Sequence, residues 1–120
     1  MAEQENYLDY IPKHNSLYEY TTNDKRHIEI RVQNKGLFNR IAQLFFKRPK
    51  YSNIELDDFG TFVWNHIDGE ATIYDIGRMI KAQFGEAAEP LYERLSHFIQ
   101  TLHGNGFIVY VNKLKKKQSD

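Results

Sequence analysis

The stretch LDDFGTFVWNHIDGEATIYDIGRMIKAQFG, residues 56–85, punctuates itself into two helices, and its reading decides the fold. Asp57 is placed to cap a helix carrying Phe59, Phe62, Val63, Trp64 and Ile67, which stops at Asp68-Gly69. Thr72 with Asp75 three residues on resembles a capping box. It opens a second helix with Ile73, Ile76, Met79, Ile80 and Phe84, closed by Gly85.

Downstream, Leu91, Leu95, Phe98 and Leu102 recur at i, i+4, i+7 and i+11, so a third helix is expected to end at Gly104-Asn105-Gly106. Residues 107–111 then read as a strand buried on both faces or as an apolar wing. Upstream, residues 17–20 and 27–33 read as two strands joined by the polar TTNDKR hairpin loop. The second alternates Ile28, Ile30 and Val32 with Glu29, Arg31 and Gln33, which puts the aliphatics on one face. Leu37, Phe38, Ile41, Ala42, Leu44 and Phe45 recur at helical spacing, and the basic KRPK ends this inserted helix (37–46) at Pro49. A short third strand, residues 51–55, follows at once. The expected fold is α+β: a winged-helix-like domain with an N-terminal three-stranded antiparallel sheet, a three-helix bundle and an extra inserted helix. Residues 1–14, with Pro12 and mixed charges, read as a flexible N-terminal arm, 15–112 as the domain, and 113–120 (KLKKKQSD) as a basic, solvated tail.

Composition narrows the function. The 120 residues are 41% hydrophobic and 14% aromatic, enough for a core, with a mean hydropathy of −0.66 and no apolar run near the roughly 18 residues that cross a bilayer. No membrane partner is expected. The acidic, polar start MAEQENYLDY lacks the pattern of a secretory signal, and the absence of Cys excludes disulfides and thiolate-held metals, so a cytoplasmic location is expected. The net charge of 0 hides a segregation: residues 36–55 and 111–120 each carry +3, whereas 56–110 carry −5.

The segment Leu56-Asp-Asp-Phe-Gly-Thr-Phe-Val-Trp64, then Ile67-Asp-Gly-Glu-Ala-Thr72-Ile73, Ile76, Phe84-Gly85, Leu95, Phe98, Leu102 and Gly106-Phe-Ile108 resembles the PqqD family of pyrroloquinoline quinone biosynthesis and its relatives. The likeness runs over about half the chain, from residue 51 to 110, and lies in the order and spacing of the pieces. The resemblance implies a non-catalytic protein that binds the leader segment of a ribosomally made precursor peptide and presents it to a modifying enzyme, often of the radical SAM type. It implies no cofactor. It also implies that the leader is held as an added strand against the third strand, in a groove walled by the third helix.

The residues give this a physical basis. Tyr51, Ser52, Asn53, Ile54 and Glu55 form a short strand whose edge can offer backbone N–H and C=O groups to another chain. On the third helix, Tyr92, Ser96, Ile99 and His103 run beside the stripe Leu91, Leu95, Phe98, Leu102, and Tyr92, Leu95, Ser96 and Ile99 are the candidate wall. Two readings stand there: the second stripe faces a groove, or Tyr92 and Ile99 widen the core face. A strand edge also lets two copies pair, so a homodimer is compatible with the pattern.

Other constellations have ordinary explanations. His97 and His103 lie about 240° apart around one helix and cannot chelate together, and His66 sits at a helix end, so no metal site is expected. Asp57, Asp58, Glu70 and Asp75 each lie at a helix start, where capping accounts for them better than catalysis. Trp64, among Phe59, Phe62 and Val63, reads as core rather than as a peptide contact. The alternatives are a winged-helix DNA-binding regulator and a general protein interaction module. Glu86, Glu89 and Glu93 against Arg94 on the third helix and its approach oppose nucleic-acid binding.

Overall fold

The computed structural model describes residues 7–33 and 51–112. The elements are β1 (Pro12–His14), β2 (Tyr20–Thr22), β3 (Ile28–Gln33), β4 (Tyr51–Glu55), α1 (Asp58–Asn65), α2 (Ile73–Phe84), α3 (Leu91–Gly104) and β5 (Ile108–Tyr110). The class is α+β, with an antiparallel three-stranded sheet in the order β2-β3-β4 and three helices, as expected; β1 and β5 form a separate two-stranded sheet. The inserted helix expected over 37–46, its KRPK exit and the 113–120 tail lie outside the described residues. The chain divides into two compact units, Ser16–Thr61 and a second made of Met1–Asn15 with Phe62–Asp120.

In the second unit, the caps act where the sequence puts them. The Thr72 hydroxyl accepts from the Asp75 N–H at 3.0 Å while the Asp75 carboxylate accepts from the Thr72 N–H at 3.1 Å, closing a reciprocal box. Gly85 ends α2 at φ 59°, and Gly69 turns the chain after α1 at φ 82°, both left-handed values that favour glycine. Val63, Trp64, Ile67, Ile73, Ile76, Ile80, Leu91, Leu95, Ile99, Leu102, Phe107 and Ile108 are all buried. Gly77 lets α3 approach α2, because a Cβ there would lie 2.6 Å from the Tyr92 ring.

The N-terminal arm is a correction. Residues 7–15 build structure: β1 pairs with β5 in the register Pro12↔Tyr110, Lys13↔Val109, His14↔Ile108. The Ile11 carbonyl accepts from the Val111 N–H at 2.8 Å, and Pro12 is fully buried. The Tyr7 and Tyr110 hydroxyls meet at 2.9 Å, Tyr10 packs on Tyr110 at 4.9 Å between centroids, and His103 stacks on the same ring at 4.3 Å. Burial raises the Tyr7 phenol well above the usual range and the Tyr110 phenol in the same direction. A three-residue strand starting with Pro shows no alternation of its own, and its partner lies nearly 100 residues away, so local pattern could not reveal it.

In the unit Ser16–Thr61 the hairpin is present, but its first strand is shifted. It spans Tyr20–Thr22 rather than 17–20, and Leu17 is 84% exposed. The loop is the shorter Asn23–His27 turn. The Asn23 side-chain oxygen accepts from the Lys25 and His27 N–H groups, and Arg26 takes φ 65°. Arg26 thus takes the left-handed conformation that a turn glycine would ordinarily supply, and the Asn23 side chain holds the turn closed.

Candidate functional site: the outer strand and its polar tie

Strand β4 carries Tyr51, Ser52, Asn53, Ile54 and Glu55, and it is the outer strand of its sheet among the described residues. Its register with β3 is Glu29↔Glu55, Ile30↔Ile54, Arg31↔Asn53, Val32↔Ser52 and Gln33↔Tyr51. One position beyond, the Leu56 N–H donates to the Ile28 carbonyl at 2.8 Å, while on the other side of β3 the Arg31 N–H donates to the Glu19 carbonyl at 2.9 Å. Bonded and non-bonded pairs alternate along an antiparallel ladder. Ile30↔Ile54 is therefore a bonded pair, and Asn53 and Glu55 occupy the positions whose backbone N–H and C=O point away from β3. The side chains alternate too. Ile54, 42% exposed, stands on the face of the buried Ile30, while Asn53 and Glu55 stand on the face of Glu29 and Arg31.

The polar face is a connected network within one unit. The Asn23 amide donates to Glu29 at 2.8 Å and to Glu55 at 2.9 Å, and the Asn53 amide donates to Glu29 at 3.3 Å. His27 Nδ1 lies 2.9 Å from Glu55 Oε2 and its Nε2 lies 2.7 Å from Asp58 Oδ1. The hydrogen bond to Glu55, then that to Asp58, raises the His27 pKa; the Asn23 amide, then His27, holds the Glu55 carboxyl below the usual range. Helix α1 opens beside this network, with the Gly60 N–H donating to Asp57 Oδ1 at 2.8 Å and the Thr61 hydroxyl accepting from the Ile28 N–H at 2.9 Å. Asp57 thus caps, as its place in the sequence indicates.

Helix α3 belongs to the other unit and corrects one reading. Leu91, Leu95, Ile99 and Leu102 are its buried stripe, with Ile99 at 0% exposure, whereas Phe98 is half-buried. Ile99 follows the second of the two readings and belongs to the core face, while Phe98, expected in the core stripe, is only half-buried; i, i+4, i+8, i+11 stays on one face of a 3.6-residue period, as i, i+4, i+7, i+11 does. Of the four candidate wall residues, only Tyr92 and Ser96 reach the surface of the chain; Leu95 and Ile99 are core. Tyr92 lies parallel to Tyr74 with 6.4 Å between centroids.

His14 and His66 have structural partners. His14 stacks on Trp64 at 4.0 Å and its Nε2 lies 2.9 Å from the Trp64 carbonyl, while burial lowers its pKa. His66 Nδ1 reaches back to the Phe62 carbonyl at 2.8 Å. Trp64 is 1% exposed. Among the described residues no three His, Asp or Glu side chains are grouped to hold a metal ion, and no helix is long and apolar enough to cross a membrane. The ties made by His27, Glu55 and Asp58 were not legible in the sequence, because only the β3–β4 register brings residues 27, 55 and 58 together.

Fold and strand together define a small α+β protein whose three-stranded antiparallel sheet ends, among the described residues, at β4. The chain belongs to the PqqD family: residues 47–108, just over half of its length, match coenzyme PQQ synthesis protein D. No curated protein and no solved structure gives a significant match.

Proposed function

We propose that this chain is a non-catalytic peptide-binding protein. It takes the leader of a ribosomally made precursor peptide as an additional strand along Tyr51–Glu55 and presents it to a modifying enzyme, of the radical SAM type in the reading that the family resemblance implies. Membership of the PqqD family supports the peptide class. The observation that carries the site is the ladder phase of β4, which turns the backbone groups of Asn53 and Glu55 outward. Backbone pairing gives affinity that tolerates sequence variation, and Ile54 on one face with Asn53 and Glu55 on the other selects side chains by alternation.

The test is a calorimetric titration with synthetic leader peptides of the precursor class, taken from any short reading frame found beside this chain's gene, repeated on Asn53→Pro. The substitution removes an outward N–H and no rung of the β3 ladder, so the fold should survive and binding should weaken tenfold or more. A folded Asn53→Pro variant that binds as tightly as the parent would remove the site from β4. The regulator reading makes the opposite demand: salt-sensitive binding of duplex DNA, in a chain whose residues 56–110 carry −5.

A further inference from the structure

The His27 contacts contain a chemical requirement. Nδ1 faces a Glu55 oxygen at 2.9 Å and Nε2 faces an Asp58 oxygen at 2.7 Å, so both ring nitrogens sit at hydrogen-bond distance from carboxylates. A carboxylate only accepts, and a neutral imidazole has a single N–H. Neutral His27 would satisfy one partner and turn a lone pair toward the other. The arrangement is complete only for the imidazolium, which donates to both.

Three elements meet at that ring. The Asn23–His27 turn presents it, held by the Asn23 side-chain oxygen accepting from the His27 N–H at 3.0 Å and by the Asn23 N–H donating to the His27 carbonyl at 2.9 Å. Glu55 is the last residue of β4, and Asp58 the first of α1. The charged groups around the ring are Glu55 from β4, Asp58 from α1, Lys25 from the turn, which acts on Glu55, and, behind the Asn23 amide, Glu29 from β3. Two carboxylates thus face the imidazole at contact distance, and the Lys25 cation acts on one of them. The ring is 22% exposed, which leaves a route for its proton to solvent.

We propose that His27 is a proton-dependent clamp: the imidazolium fixes the exit of β4 and the start of α1, and loss of one proton frees that end of the strand. On the peptide-binding reading above, the same loss weakens a strand docked along β4, because Glu55 is one of its outward-facing positions. The sign follows from the direction of the shift. The folded-state pKa lies above the unfolded value of about 6.5, so the clamp is complete below that value and opens as pH rises through the folded one.

The clamp is tested first without peptide. In the labelled full chain, the imidazole signals of His27 are titrated by NMR, and hydrogen exchange of the Leu56 amide, which bonds Ile28 across the ladder, is followed on both sides of the transition after correction for intrinsic rates. His27 should titrate above a model histidine peptide, Asp58→Asn should lower that midpoint, and Leu56 exchange should speed up threefold or more as His27 deprotonates. In His27→Gln the extra pH dependence should vanish. A His27 midpoint at or below that of the model peptide overturns the clamp, as does pH-dependent exchange that persists in His27→Gln; Asp58→Asn supplies the decision if His27→Gln does not fold. The synthetic precursor peptide is then titrated below and above the measured midpoint. Binding that weakens threefold or more above it joins the clamp to the site, whereas equal binding on both sides refutes that link. Absence of binding at every pH overturns the peptide reading, and the ligand-free titration still decides the clamp.

Discussion

The two units of this chain are held by different means. Among its described residues the unit of Met1–Asn15 with Phe62–Asp120 has fourteen buried aliphatic and aromatic side chains, and α2 is closed by a capping box at one end and Gly85 at the other. Among its described residues the unit Ser16–Thr61 has three fully apolar buried residues, Ile28, Ile30 and Leu56, and a sheet whose polar face is crossed by the Asn23, His27, Glu29, Asn53 and Glu55 network. Apolar burial is indifferent to pH; a network of an imidazole and carboxylates is not. The unit that carries the candidate docking strand is therefore the one whose sheet face carries the imidazole–carboxylate network.

The sharpest break of this contrast is a charge placed at equivalent aliphatic positions. Ile99→Asp buries an unpaired carboxylate at a site with 0% exposure and should unfold its unit, a loss above about 4 kcal/mol, visible as missing helical circular dichroism. Ile54→Asp, at a residue 42% exposed, should cost about 1 kcal/mol or less. Comparable losses at the two positions would erase the distinction between a packed and a bonded unit.

A smaller effect is expected at Gly77. Gly77→Ala would push a methyl to 2.6 Å from the Tyr92 ring, so denaturant unfolding should show a net cost of about 1 kcal/mol once the gain in helix propensity is set against the crowding. In a Tyr92→Ala background the sign should reverse, to a gain of up to about 1 kcal/mol. A cost unchanged by Tyr92→Ala would place the crowding elsewhere.

Tyr7→Phe removes the hydroxyl that meets Tyr110 and should lower stability by about 1 kcal/mol in the same measurement. No loss at all would mean that water replaces the bond without cost, leaving the N-terminal segment held by ring packing and the β1–β5 ladder.

The smallest effects are the pH limbs, and they should run in opposite directions. His14 is favoured in its neutral form, because burial lowers its pKa; its contribution is complete above about pH 6.5 and declines as pH falls below that value. His27 contributes fully below about pH 6.5 and loses its effect as pH rises through its raised folded value. Urea midpoints measured across about pH 5 to 9 should lose the acid limb in His14→Gln and the alkaline limb in His27→Gln. The same limb disappearing in both variants would contradict the assignment.

Much of this protein was written in local sequence. Thr72 and Asp75 are three residues apart and cap each other whatever surrounds them; Asp57 caps α1 for the same reason; and the alternation of Ile28, Ile30 and Val32 makes β3 two-faced. The order and spacing of these pieces also carried the family. What the tertiary structure alone decided involves partners far apart in sequence or two local patterns of equal merit. Pro12–His14 became a strand because Ile108–Tyr110 offers it a ladder; Ile99 rather than Phe98 turned inward because the neighbouring elements fill one side of α3; and His27 met Glu55 and Asp58 only through the β3–β4 register. The physical reason is the same in each case. Caps and alternation are satisfied by neighbours within about one turn or two residues, whereas ladder pairing, the choice between adjacent helix stripes and the charge of a histidine depend on atoms that folding alone brings within reach.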